Sequence, residues 1–244
     1  MPNTPLQFEL FFYSIVLFTV VFLWQGTRWA YVRAYPDQQN RYRVDLKFFW
    51  GMGLWMLLGV LIAESTFILN FTNVPPGFLL VLFGSFAVTT VLAFSRLGTV
   101  WIHYAGPVAL IALQSFRLPL EIFLYQAYEL GIMGKQMTYV GWNYDILTGI
   151  SAILLALWLW KKPLNPTLIL TWNIICFTLF VIIITTAILT APTLFQQFPV
   201  GEIEVFIAVY FPYILLPMVL VQAAFFGHIL LFRWWWSQRS LNKR

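Results

Sequence analysis

Long apolar runs separated by short polar or Pro/Gly-rich links make up almost the whole chain. A helix that crosses a bilayer needs roughly 20 mostly apolar residues. Seven runs meet or approach that length, and they cover residues 9–32, 46–69, 77–95, 106–131, 144–160, 167–190 and 203–232. The pattern predicts an all-α integral membrane protein, a seven-transmembrane-helix bundle that forms a single transmembrane domain over residues 1–244.

The composition supports this class and excludes others. Of the 244 residues, 61% are apolar and only 9% are charged, whereas soluble domains carry about 25% charged residues. So few charges could not cover the surface of a soluble core, which excludes a water-soluble enzyme, a basic nucleic-acid-binding protein and a disordered chain. The net charge of +5 is therefore interpreted as a topology signal.

Basic residues separate by side of the predicted bundle. Lys135 is the only basic residue in a link on the side of the bundle where the N-terminus lies, and Arg117 lies inside the fourth run. The other twelve of the fourteen basic residues fall in or next to links, or in the tail, on the opposite side: Arg28, Arg33, Arg41, Arg43, Lys47, Arg96, Lys161, Lys162, Arg233, Arg239, Lys243 and Arg244. Because cytoplasmic loops are enriched in Lys and Arg, this predicts an N-terminus outside and a C-terminus in the cytoplasm.

The fourth run carries a polar stripe that points to a functional site. Its members follow each other at steps of mostly three or four, on one helical face: Gln114, Arg117, Glu121, Tyr125, Tyr128 and Glu129. Arg117 falls near mid-membrane, where a charge is costly and is functional by default. Two interpretations remain, a functional polar site or a buried Arg117–Glu121 ion pair that fixes helix packing.

Other runs supply polar residues that could join this stripe. Glu64 lies near the outer end of the second run, and Asn143 and Asp145 begin the fifth. Helix capping explains Asn143 and Asp145 locally, and a binding role is the alternative. The binding hypothesis is an outward-facing pocket with acidic walls and Arg117 at its floor. Its ligand-binding residues are Arg117, Glu121, Glu64, Asn143, Asp145, Tyr125, Tyr128 and Gln114.

Motifs for several chemistries are missing from the sequence. There is no HExxH metal site, GxSxG elbow or Walker loop. His103 and His228 are interpreted as solvated residues at the inner ends of helices, and Cys176 is the single cysteine. No catalytic residue, metal or cofactor is predicted, and an enzymatic role is left open but disfavoured.

One segment resembles known sequences. Residues 114–149 contain Arg117-x-Pro119-x-Glu121 and Gly141-x-Asn143-x-Asp145-Ile146. This segment resembles part of an uncharacterised family of bacterial multispan membrane proteins. The resemblance implies a multi-pass protein of the bacterial inner (cytoplasmic) membrane and carries no activity.

Three functions compete. The favoured one is a binding or transport protein whose pocket takes a small polar or cationic solute, or a proton. The alternative is an accessory or sensor subunit of a larger membrane complex. The third is an intramembrane enzyme that acts on a lipid-like substrate. The expected partners are the lipid bilayer, a small-molecule ligand and other membrane proteins, and no nucleic acid.

Overall fold

The computed structural model describes residues 4–36, 38–202 and 206–241, and every regular element in them is helical. A one-turn helix, Thr66–Leu69, separates the second and third of seven main helices. Numbered in chain order, the main helices are α1 (Leu6–Ala34), α2 (Gln38–Ala63), α3 (Gly77–Phe94), α4 (Arg96–Glu129), α5 (Ile146–Leu159), α6 (Pro166–Thr190) and α7 (Leu216–Leu220 continued by Val221–Leu241).

Six of these helices are long and apolar enough to cross a membrane, and they are α1, α2, α3, α4, α6 and α7. The predicted fifth crossing corresponds to α5, which has 14 residues. At 1.5 Å per residue it extends about 21 Å, less than the roughly 30 Å of a bilayer core. The regular elements of the described residues are therefore all helical, and six of the helices are candidate membrane spans.

Helix α4 is longer than predicted and is not regular. Residues 96–105, expected to be a link, form one α-turn and a π-helical turn, Trp101–Ala105. Trp101 is buried against α1, and its Nε1 donates to Thr27 Oγ1 at 3.1 Å. The expectation was wrong because this burial comes from another helix, which the local sequence does not reveal. A second irregularity, the 3₁₀ turn Gln114–Phe116, leads directly into the segment Arg117–Glu129.

The last helix begins later than predicted. The predicted start at residue 203 lies outside the described residues, and residues 206–215 form turns with a short 3₁₀ segment. Pro212 lacks the N–H that a helix interior needs, and Pro217 stands in the first turn of α7, where a missing N–H is tolerated, so the helix begins only at Leu216. Helix α7 then continues through the Trp234–Trp236 run to Leu241, beyond the predicted end at 232.

The connection between α4 and α5 folds back into the bundle. Arg117 lies twelve residues before the end of α4, about 18 Å along its axis. Yet α5 begins beside Arg117, as the close packing of Gly149 against the backbone of Leu118 shows. Residues 130–145 therefore return along α4, and Gln136 of this segment donates to Thr190 Oγ1 and to the Pro199 carbonyl. Irregular backbone at such depth is tolerated where protein buries it or where it lines a cavity.

Candidate functional site

An ion pair between α4 and the start of α5 forms the centre of the candidate site. Arg117 Nη1 lies 3.0 Å from Asp145 Oδ1, and Arg117 is only 1% exposed. Thr148 Oγ1 donates to the same carboxylate oxygen at 2.9 Å. The predicted pairing of Arg117 with Glu121, one turn along α4, was wrong. The returning segment 130–145 brings Asp145 close, and this contact is invisible in the spacing along one helix.

Glu121 is instead held by Asn143. Asn143 Nδ2 donates to Glu121 Oε2 at 2.7 Å and to the Met137 carbonyl at 3.0 Å. Asn143 Oδ1 accepts from the Asp145 backbone N–H at 3.1 Å, which fixes the turn into α5. Asn143 thus makes a local turn and also contacts another helix, so helix capping alone does not account for it.

His228 of α7 joins the network from the opposite side. It is completely buried, whereas the sequence led us to expect a solvated histidine at a helix end. Its Nε2 lies 3.2 Å from Arg117 Nη1, and its Nδ1 lies 2.7 Å from Asn173 Oδ1 of α6. A guanidinium can only donate, so Nε2 accepts, and the ring is neutral with its proton on Nδ1.

The resulting group of side chains is called the central polar cluster. Each member is at most 4% exposed, and together they connect α4, α5, α6 and α7. The members are Arg117, Glu121, Asn143, Asp145, Asn173 and His228. Asn173 was not expected in the site and His228 was expected to be solvated, although each lies within a mainly apolar stretch. A strongly polar residue within an apolar run was the signal that could have identified both as site residues, because a polar group in such a helix must find a partner.

Gln114 lies one turn before Arg117 on α4 and packs against α7. Its Nε2 donates to the Ala224 carbonyl at 3.1 Å, and a Cβ on Gly227 would lie only 2.3 Å from this nitrogen. Among the described residues, Gln114 Oε1 is a buried acceptor with no hydrogen-bond partner. Gln114 therefore lies near the central polar cluster without being hydrogen-bonded to it.

A cavity of about 90 Å³ opens beside the central polar cluster. Arg117, Glu121 and Asp145 line it, and Thr190 is the other polar residue on its surface. The remaining walls are apolar, and they include Leu120, Leu124, Phe180, Ile184, Phe206 and Val221. Glu121 and Asp145 are the acidic residues of this lining, and Glu64, which was expected to join them, is not part of it.

Three predicted ligand-binding residues lie away from this patch. Glu64 is exposed, because α2 ends at Ala63 and does not carry Glu64 into the bundle. Tyr125 and Tyr128 are half-buried and belong to a group of rings at the end of α4. The Tyr125 and Tyr139 rings stack with centroids 5.1 Å apart. Neither tyrosine lines the cavity.

The described residues contain no group of three or more histidine, cysteine or carboxylate side chains placed to hold a metal ion. The central polar cluster offers two carboxyl groups, a guanidinium and a neutral imidazole. No protein-family model matches the chain, and neither a curated protein nor a solved structure matches it.

Proposed function

We propose that the chain binds a proton or a small cation at Glu121 and Asp145 and passes it across the membrane. The charges of the central polar cluster carry this proposal. It contains two carboxyl groups but one guanidinium, and the hydrogen bonds of His228 make its imidazole neutral. With both carboxyls ionised the cluster would have a net charge of −1.

A net charge buried at this depth is costly, by several kcal/mol. One proton or one monovalent cation would neutralise it. Asp145 is already paired with Arg117, whereas Glu121 accepts a hydrogen bond from the neutral amide of Asn143. Glu121 is therefore the group that takes the proton or faces the cation.

The cavity limits the size of the solute. About 90 Å³ is room for only a few water molecules. Its apolar walls offer few groups to solvate a large polar solute. A proton, a small inorganic cation or a small organic ammonium ion fits this chamber.

The accompanying topology is also a proposal. We propose that α5 crosses as the fifth of seven helices, with the N-terminus outside and the C-terminus in the cytoplasm of a bacterial inner membrane. The separation of basic residues supports the orientation, and the returning segment 130–145 explains how a short helix can complete a crossing.

Proton flux into proteoliposomes tests the function. Protein is reconstituted with an entrapped pH-sensitive dye, and a pH gradient is imposed with valinomycin and K⁺ present. We expect protein-dependent flux that falls at least ten-fold in Glu121→Gln, which keeps the hydrogen-bonding shape and removes the titratable group. Glu129→Gln is the matched control, because Glu129 is exposed two turns later on α4.

Cation binding is tested in the same preparations. The melting temperature is measured with Na⁺, K⁺ or methylammonium at constant ionic strength, and stabilisation by one of them should vanish in Glu121→Gln. The proposal fails if wild-type protein shows neither flux above empty liposomes nor cation-specific stabilisation. It fails equally if folded Glu121→Gln protein, monodisperse in detergent, behaves as wild type.

A further inference from the structure

A groove separates α2 from α3 and α7. Helix α2 lies along α1, and it touches α7 where Trp55 Nε1 donates to the Met218 carbonyl at 2.7 Å. Beside this contact lies a groove of about 380 Å³ with mainly apolar walls, which include Met52, Leu92 and Phe226.

The polar groups deep in the groove are satisfied by each other. Thr89 Oγ1 donates to Gln222 Oε1 at 2.8 Å, and Gln222 Nε2 donates to the Pro217 carbonyl at 3.0 Å. The deep part of the groove therefore presents an apolar surface, which suits a hydrocarbon chain better than a polar solute.

The mouth of the groove is basic. It has a volume of about 540 Å³, and its lining shares Thr27, Lys47, Phe48 and Leu97 with the apolar part, so the two are continuous. The remaining lining of the mouth includes Tyr31, Tyr35, Arg43 and Arg96, and no acidic residue belongs to it among the residues that the structure describes.

Within the described residues, these cations have no ion-pair partner. Arg43 and Lys47 are four residues apart on α2 and share a face, where like charges destabilise a helix. The nearby Asp45 is engaged by Arg28, 3.5 Å away, and by Trp24 Nε1 at 2.9 Å. In the described part of the chain, none of the three basic residues at the mouth forms an ion pair.

We propose that this groove, named the basic groove, binds a phospholipid with an anionic headgroup. The phosphate lies between Arg43, Lys47 and Arg96, and an acyl chain fills the apolar part beside Trp55 and Phe226. Basic pockets between membrane helices have the chemistry that anionic headgroups require, and the apolar depth selects an amphiphile over a soluble anion.

Lipid retention in detergent tests the proposal. Delipidated protein is mixed with phosphatidylglycerol, with phosphatidylcholine of identical acyl chains, or with inorganic phosphate. Bound lipid is counted by native mass spectrometry, and melting temperatures are recorded in parallel. We expect phosphatidylglycerol to be retained at least five-fold more than phosphatidylcholine, and only phosphatidylglycerol to raise the melting temperature by several degrees.

Charge variants locate the headgroup. The combination Arg43→Gln, Lys47→Gln and Arg96→Gln should reduce phosphatidylglycerol retention at least five-fold. Its control removes three basic residues that lie outside the basic groove and should leave retention unchanged. That control combines Lys161→Gln, Lys162→Gln and Arg239→Gln.

A pair of glycines on α2 locates the acyl chain. Gly51 and Gly53 both have open space where a Cβ would lie, but only Gly51 lines the basic groove. Gly51→Phe should lower retention at least three-fold, and Gly53→Phe should not. The proposal is overturned if both lipids are retained equally, if phosphate alone stabilises the protein as well, or if the control variants lose as much lipid.

Discussion

Arg117 Nη1 lies within hydrogen-bond distance of both Asp145 Oδ1, at 3.0 Å, and His228 Nε2, at 3.2 Å. One guanidinium nitrogen therefore links the start of α5 to α7. The Arg117 guanidinium carbon also lies 5.1 Å from the centroid of the Phe180 ring on α6. Arg117 is thus the residue through which four helices meet.

The ion pair should behave as a coupled unit. We expect Arg117→Met and Asp145→Asn each to cost about 3–5 kcal/mol, because each leaves a buried charge unpaired. For a chain of this length that is a loss of roughly 6–20 °C in melting temperature. The double variant should be no less stable than the worse single variant.

The measurement is a double-mutant cycle of melting temperatures in a mild detergent. Each preparation is first checked for a single monodisperse peak. Additive losses in the double variant would contradict the pairing, because residues that do not interact show no coupling energy.

The tautomer of His228 can be observed directly. The chain has two histidines, and His103 is exposed, so His103→Gln leaves a single imidazole signal. We expect ¹⁵N spectra to show a neutral ring with the proton on Nδ1. Arg117→Met should shift the Nε2 resonance, because the donor to that nitrogen is removed. A proton on Nε2, or a doubly protonated ring, would show that the hydrogen-bond assignment is wrong.

Close packing of α5 on α4 should be sensitive to one methyl group. A Cβ on Gly149 would lie 2.4 Å from the backbone nitrogen of Leu118, so the helices must move apart. We expect Gly149→Ala to cost about 1–3 kcal/mol through overpacking, which is several degrees in melting temperature.

Gly84→Ala provides the matched control for Gly149→Ala. Gly84 lies in the middle of α3, and its added Cβ would meet no described residue within 4 Å beyond its own stretch of helix. The substitution should leave stability unchanged or raise it slightly, because alanine favours a helix over glycine by up to about 1 kcal/mol. Equal effects of the two substitutions would contradict close packing at Gly149.

Cysteine labelling tests whether α5 completes a crossing. Cys176 is the only cysteine and is buried, so wild-type protein should give no background with a membrane-impermeant maleimide. Asn73→Cys should react in intact cells, and Lys161→Cys should react only after permeabilisation. Both positions are exposed. Reaction of Lys161→Cys from outside would mean that the chain crosses without α5 and that seven crossings is wrong.

The sequence predicts the main helices well where their ends are marked by local chemistry. Helices α1, α3 and α6 end within a few residues of the predicted limits, because charged residues or Pro/Gly-rich links follow them. The prediction that residues 96–105 form a link was wrong, because burial of Trp101 by α1, rather than local composition, determines their helical form.

The α4 and α5 members of the site were predictable from the sequence, whereas Asn173, His228 and the pairing of the side chains were not. A polar stripe on α4 and the Asn143–Asp145 pair were visible as costly residues within apolar runs. Which carboxylate meets Arg117 depends on how residues 130–145 return into the bundle, and periodicity along one helix carries no information about that. His228 lies 111 residues from Arg117 in sequence, so only the fold reveals their contact.

Helix α5 also has a consequence for how the protein is made. Fourteen mostly apolar residues, which include Thr148 and Ser151 and follow an aspartate, form a weak insertion signal on their own. The preceding helix already carries the arginine that Asp145 needs, so the two charges can enter the bilayer as a neutral couple. We therefore expect α4 and α5 to leave the translocation machinery as one hairpin during synthesis, rather than helix by helix.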